Sequence, residues 1–194
     1  MQSLNEFSMP PNFRGRPGWY VQLWWIIQSL FFQTSPQFMY GWRRFLMRLF
    51  GAKIGKGVIL RPSMHTQFPW KVTIGDYSWI GDHAVLYSLG PINIGSNVVI
   101  SQKSYLCTGS HNYLENDFPI YFEPINIENE CWLATDVFVG PGVTIGKGTM
   151  VGARSSVFKS LPGNKICMGS PAKPVKDRFN QHDLDKTNEY KVKI

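Results

Sequence analysis

The sequence predicts an all-β solenoid preceded by a helical segment, and three observations carry that prediction. From Ile127 to Val157 an aliphatic residue returns at every sixth position: Ile127, Leu133, Val139, Ile145, Val151 and Val157. The fourth residue after each aliphatic is compact, namely Cys131, Val137, Val143, Thr149 and Ser155. The same frame runs upstream through Ile74, Ile80 and Leu86 and, after a two-residue insertion, through Ile94, Ile100 and Leu106, with Ser78, Ala84, Val98, Ser104 and Ser110 in small positions. A lone helix repeats its apolar face near 3.6 residues and a strand at 2, so a period of six is either three strand steps or a coil wrapping a triangular prism, and the compact fourth residues, suited to an inward corner, decide for the prism. Three six-residue units make one coil, and equivalent residues stack between coils at ~4.8 Å. Directly after the aliphatics stand Ala134, Gly140, Gly146 and Gly152, expected to let the backbone bend at each corner.

The elements ahead of the prism read as helices. Two are expected, roughly over residues 19–33 and 37–50, separated at Ser35-Pro36 because proline removes a donor. The first is too short and too often polar for a membrane span of ~20 residues. Two roles suit the pair. They can cap the open end of the first coil, and an apolar stripe with Arg43, Arg44 and Arg48 also suits contact with anionic lipid. The expected organisation is residues 1–52 as an amphipathic helical segment, 53–176 as the solenoid with an inserted loop at 112–124, and 177–194 as a polar tail.

Length and charge narrow the class. The chain has 194 residues, enough for one domain with a sizeable core. Its net charge of +7 is uneven: residues 1–71 carry nine basic side chains against one acid, Glu6, while residues 72–170 carry five against eight. Because the excess is interleaved with a greasy helix, a nucleic-acid partner is not expected. Cys107, Cys131 and Cys167 are odd in number and scattered, which reads as free thiols in a reducing, cytoplasmic compartment. The polar, proline-containing first sixteen residues lack the pattern of a cleavable leader.

Chemistry is expected where the rhythm breaks. Between Leu106 and Ile127 the period fails, and His111 stands at the root of that excursion, in Thr108-Gly109-Ser110-His111. Histidine is the side chain most able to take a proton near neutral pH. His83, in Gly81-Asp82-His83-Ala84, is the second histidine of interest, with Asp82 as a turn residue. His65 and His182 receive no role, and no His, Cys or carboxylate set has metal-ligand spacing.

The TGSH turn at 108–111, Phe122-Glu123-Pro124-Ile125, Cys131-Trp132-Leu133-Ala134, GPGVTIGKG at 140–148 and Gly169-Ser170-Pro171-Ala172-Lys173 resemble the hexapeptide-repeat O-acetyltransferases of the galactoside and maltose type. Likeness to the colanic acid biosynthesis acetyltransferases extends further, into VQLWW at 21–25, RLFGAKIGK at 48–56 and GARSSVFKSLP at 152–162. The resemblance implies a left-handed parallel β-helix, against the usual right-handed crossover, and a homotrimer with sites between chains. It implies acetyl-CoA as co-substrate, no metal, and His111 as general base on a free or lipid-linked sugar hydroxyl. It places the acceptor against His83, where relatives commonly have Asn or Asp. It places acetyl-CoA along Trp132, Thr135, Ala153, Phe158, Lys159 and Lys173, with Lys176 near the nucleotide. Phe158 departs from the small polar residue common there, and Ala134 from glycine. The implied activity is sugar O-acetylation in exopolysaccharide synthesis, in the cytoplasm or at the inner membrane face. The alternatives are acetylation of a small molecule such as serine, an antibiotic or an amino sugar, or a scaffold without catalysis.

Overall fold

A computed structural model describes residues 2–179; His182 and the tail beyond 179 lie outside the described residues. The six-residue rhythm becomes a parallel β-solenoid with three flat faces. The first face stacks Lys53–Ile54, Val72–Ile74, Ile92–Ile94, Ile125–Ile127 and Thr144–Ile145. The second stacks Ile59–Leu60, Trp79–Ile80, Val99–Ile100, Trp132–Leu133, Met150–Val151 and Lys165–Gly169, and Ala172–Asp177 closes it as an antiparallel hairpin strand. The third stacks His65–Thr66, Val85–Tyr87, Tyr105–Cys107, Phe138–Val139 and Ser156–Val157. Every predicted aliphatic from Ile74 to Val157 is buried, and so are the compact residues Cys131, Val137, Val143, Thr149 and Ser155.

The corners turn differently from the sequence expectation. The left-handed residue sits three positions after the aliphatic, at His83, Asn97, Lys103, Glu130, Asp136, Gly142, Gly148 and Arg154. At Gly146 the glycine directly after the aliphatic has another reason to be glycine. A Cβ on Gly146 would stand 2.5 Å from the Gly163 nitrogen of the next coil, so the residue permits close stacking and does not supply the bend.

The first coil has no coil beneath it, and its carbonyls would be orphaned. The helical segment supplies the partners. It consists of α1 (Gly18–Ile27), a π turn (Gln28–Phe32) and α2 (Tyr40–Leu49). The break at Pro36 extends to Met39, so α2 starts later than expected. Trp24 Nε1–H donates to the Thr66 carbonyl at 2.9 Å. Gln28 accepts from the Thr66 N–H at 2.8 Å and meets His65 Nδ1 at 3.0 Å. Arg44 donates to Val58 O at 2.7 Å, and Arg48 to Ile54 O and Gly55 O at 2.7 and 2.9 Å.

Arg43 is fully buried and donates to Leu60 O at 2.6 Å, Ser35 Oγ at 2.8 Å, Pro36 O at 2.9 Å and Gln37 O at 2.5 Å. Burial pulls its pKa down, and hydrogen bonds to carbonyls take the place of water around its charge. Of the two roles expected for the segment, capping is what these contacts serve: Arg43, Arg44 and Arg48 all donate to carbonyls of the first coil, and Arg43 also to the turn ahead of α2. His65, given no role from sequence, is a partner of the cap, and burial lowers its pKa.

Arg43→Leu should lower stability by roughly 3–5 kcal/mol, because it removes these bonds and strands buried carbonyls. Arg44→Leu, with one carbonyl at stake, should cost about 1 kcal/mol. Urea denaturation of the two variants measures the difference, and equal losses would refute the capping account.

Candidate active site

The excursion after Leu106 is a hairpin: Gly109–His111 pairs antiparallel with Ile120–Phe122, so that Ser110 faces Tyr121 and His111 faces Ile120. Its root is fixed. Thr108 Oγ1 donates to Tyr87 O and accepts from the Gly90 N–H, both at 2.8 Å. Gly109 leaves room for Leu89, whose Cδ1 would lie 2.5 Å from any Cβ there. His111 is half-buried, its ring stacked on Phe118 with centroids 4.2 Å apart and planes 9° from parallel. Its Nδ1 lies 2.8 Å from the Phe118 carbonyl. A carbonyl only accepts, so Nδ1 carries the hydrogen and, in the neutral ring, Nε2 holds the lone pair. Phe118 has φ +49°, a costly conformation for an aromatic residue and one that recurs beside functional groups.

An element that sequence patterning could not show also touches this hairpin. The arm ahead of α1 runs along it: the Ser3 N–H donates to Asn116 O at 2.7 Å, Phe7 lies 6.0 Å from the His111 ring, and Phe13 lies 6.0 Å from Phe122. Lys71 sits beneath, its ammonium 4.9 Å from the Phe122 ring centre and donating to Phe13 O and Leu89 O. Burial lowers its pKa. Polar and proline-containing, the arm has no period to betray it.

His83 lies on another edge, between the second and third faces, exposed and at φ +56°. It lines a cleft of about 610 Å³ with Tyr40, Arg61, Trp79, Asp82 and Ser101. Asp82 is more than turn chemistry. It accepts from Arg61 at 2.7 Å and Ser63 at 2.8 Å, and Ser63 Oγ accepts from the His83 N–H at 3.2 Å, so two coils are clamped where His83 stands. Burial alone would raise the Asp82 pKa; the hydrogen bonds from Ser63 and Arg61, with the guanidinium charge, outweigh it and hold the carboxyl below its usual range.

The remaining candidates divide between edges. Trp132 projects from the second face, two strands above Trp79 with Val99 between, and its indole N–H donates to Ser101 Oγ at 3.0 Å. Thr135 and Ala153 follow at the second-to-third edge, where the Arg154 N–H donates to Thr135 O at 2.9 Å. Lys173 and Lys176 lie on the closing hairpin of the second face, opposite Met168 and Ile166. Phe158 and Lys159 are elsewhere, exposed at the third-to-first edge with the His111 hairpin, Phe158 packing on Phe138 at 5.7 Å. Thus one chain gathers His83, Trp132, Thr135 and Ala153 along one edge. It does not bring them to its own His111, because the third face lies between. Among the described residues, no three His, Cys, Asp or Glu side chains gather to hold a metal ion.

No protein-family model matches the chain. Among characterised and named sequences it is 60 % identical over 178 residues, 92 % of this chain and 98 % of the other, to the Escherichia coli protein named "Putative colanic acid biosynthesis acetyltransferase WcaF". It is also 28 % identical over 153 residues, 77 % of this chain and 75 % of the other, to the galactoside O-acetyltransferase of the same organism. A solved galactoside acetyltransferase in complex with coenzyme A superposes with a TM-score of 0.80 at 21 % identity, covering 95 % of this chain and 94 % of that one, a likeness of fold. The chain is an acyltransferase of the parallel β-solenoid type. It belongs to the hexapeptide-repeat acetyltransferases, in the group that contains this colanic acid biosynthesis acetyltransferase.

The Asp82 clamp makes an acid-side prediction. A carboxyl whose pKa is depressed by folding contributes stability that is present above its unfolded pKa, about 3.9, and is lost as pH falls through the lower folded value. Wild type should therefore exceed Asp82→Asn in denaturation midpoint at pH 5, and the gap should begin to shrink near about pH 4 and close as pH falls through the folded value. A gap independent of pH would show that the carboxylate charge is not what clamps the coils.

Proposed function

We propose that the protein is an acetyl-CoA-dependent O-acetyltransferase acting on a sugar hydroxyl, free or lipid-linked, in exopolysaccharide assembly on the cytoplasmic side of the membrane. The observation that carries this reading is the His111 geometry: Nδ1 is committed to the Phe118 carbonyl at 2.8 Å, leaving Nε2 as the base. A sugar hydroxyl is a weak nucleophile until a base takes its proton as it attacks the thioester carbon, a contribution of roughly 10²–10⁴ in rate. In this reading Nε2 removes that proton during attack and returns it to the departing thiolate of coenzyme A. The Phe118 carbonyl stabilises the imidazolium formed between these steps.

The second-to-third edge suits an extended thioester. Trp132 offers an exposed indole and Ala153 little bulk, and Lys173 at the closing hairpin suits phosphate as a point charge. His83 and the adjoining cleft would take the acceptor. Because this edge and His111 are separated on one chain, the reading calls for a homotrimer in which the third-to-first edge of one subunit meets the second-to-third edge of its neighbour. The sequence of the Escherichia coli relative and its name support the exopolysaccharide assignment.

His111→Ala should lower kcat at least about a hundredfold while leaving acetyl-CoA affinity nearly unchanged, since a base acts mainly in the transition state; near-normal turnover with a panel of free and lipid-linked sugars would remove it from the mechanism. For the composite site, His111→Ala and Ala153→Trp, each inactive, are unfolded and refolded together. If the two features come from different chains, about a quarter of sites regain both. Background activity, or a monomer in solution, would reject the arrangement.

A further inference from the structure

The helical cap is apolar on both of its sides, and the prism covers only one. α1 and the π turn bury Val21, Trp24, Gln28 and Phe32 against the first coil. The opposite stripe, Trp19, Leu23, Ile26 and Leu30, is apolar as well and is exposed by 40 % at Leu23 and up to 68 % at Trp19. The next segment repeats the pattern. Arg43, Leu46 and Met47 of α2 and the adjoining Phe50 turn inward, while Phe38, Trp42, Phe45 and Leu49 keep the same four-three-four spacing as the first stripe. Of these, Phe38 is 78 % exposed, Phe45 53 % and Leu49 60 %. The two stripes are joined: the Trp42 indole N–H donates to Phe31 O at 2.9 Å, and its ring stacks on Phe45 at 5.7 Å. A helix apolar all round is stable when both sides are covered, and a contiguous exposed apolar patch marks a contact surface.

We infer that this platform seats the protein on an anionic lipid bilayer, with the cap lying in the interface and the prism directed away from it. Charge selects this occupant. No acidic side chain occurs from residue 18 to 50, and the first 71 residues carry nine basic groups against Glu6, so the field at this end of the prism is positive and nothing on the platform repels anionic headgroups. Composition agrees, since Trp, Phe and Leu on a short helix are the side chains of interfacial insertion, and among the described residues no helix is long and apolar enough to cross a membrane. The arginines of α2 face the coil, so insertion rests on the apolar stripes and charge acts through the field of the whole segment. A second copy is the other candidate. It would have to dock end to end, whereas the proposed active site uses the lateral edges. In a cyclic trimer with prism axes along the threefold, all three platforms face one way and docking becomes trivalent; that multiplication rests on the trimer proposed above, and the docking itself does not.

The test is flotation of the full chain with vesicles of equal parts phosphatidylethanolamine and phosphatidylglycerol, beside vesicles of phosphatidylcholine alone. Wild type should float with the anionic vesicles and much less with the neutral ones. The double variant Leu23→Glu with Phe45→Glu, both outward, should lose the bound fraction at least about tenfold, while light scattering shows an unchanged oligomeric state and titration an unchanged acetyl-CoA affinity. The inference is overturned if wild type fails to float, floats equally with neutral vesicles, or is matched by the variant. It is also overturned if the variant alters the oligomeric state, which would make the platform an interface between copies. Reading acetyl-CoA binding on the same samples keeps a failure of docking distinct from a failure of the acetyltransferase reading.

Discussion

Backbone hydrogen bonding between successive coils, in register on all three faces, is the constraint from which the remaining features of this molecule follow. Each coil satisfies the one before it, as when the Ile59 N–H donates to Ser78 O and the Trp79 N–H to Val98 O at 2.9 and 2.8 Å. Such a ladder is stable in its interior and unsatisfied at its ends. The end formed by the first coil is closed by side chains, with Arg43, Arg44, Arg48, Trp24 and Gln28 each reaching a backbone group of that coil. At the far end the second face is closed by backbone, through the hairpin of Lys165–Gly169 and Ala172–Asp177. The cap is thus part of the sheet's hydrogen bonding, which explains how a fully buried arginine comes to lie in a helix with no acidic partner among its hydrogen bonds.

The same ladder fixes what can meet what. Residues at equal positions in successive coils form columns, so Trp79, Val99, Trp132 and Met150 stand in one line on the second face. A column gathers side chains along an edge with high precision and keeps different edges apart with equal firmness. His83 and Trp132 are held near one cleft because one face and its corner carry both, and His111 is held away from them because its hairpin leaves from another corner. The rigidity that organises each set is what keeps the two apart within one chain, and it is the reason the proposed active site draws on two subunits.

The proposed chemistry sits at a departure from the rhythm. The hairpin after Thr108 is free of the ladder and can aim the Phe118 carbonyl at His111, at the cost of a left-handed aromatic residue. It is steadied from outside the solenoid by the arm carrying Ser3, Phe7 and Phe13, and from below by Lys71. These contacts join residues more than a hundred positions apart, or an irregular arm to an irregular loop, and leave no trace in a local pattern.

The sequence by itself determined the prism, its buried aliphatics and compact residues, the place where the rhythm fails and the histidine standing there. Those features are periodic or are breaks in a period, and a period is legible one residue at a time. It also showed that two helices precede the prism, but not which way their arginines point, because a basic residue on an apolar helix serves a carbonyl and a headgroup equally well until the first coil is in place. It misassigned the corner glycine Gly146, because a requirement for stacking room belongs to the neighbouring coil and not to the glycine's own conformation. The clamp of Asp82 on Arg61 and Ser63, the pairing of His65 with Gln28, the tautomer of His111 and the division of the candidate residues between two edges were decided by the tertiary structure alone, since each depends on which residue of another coil or element the ladder brings within hydrogen-bonding distance.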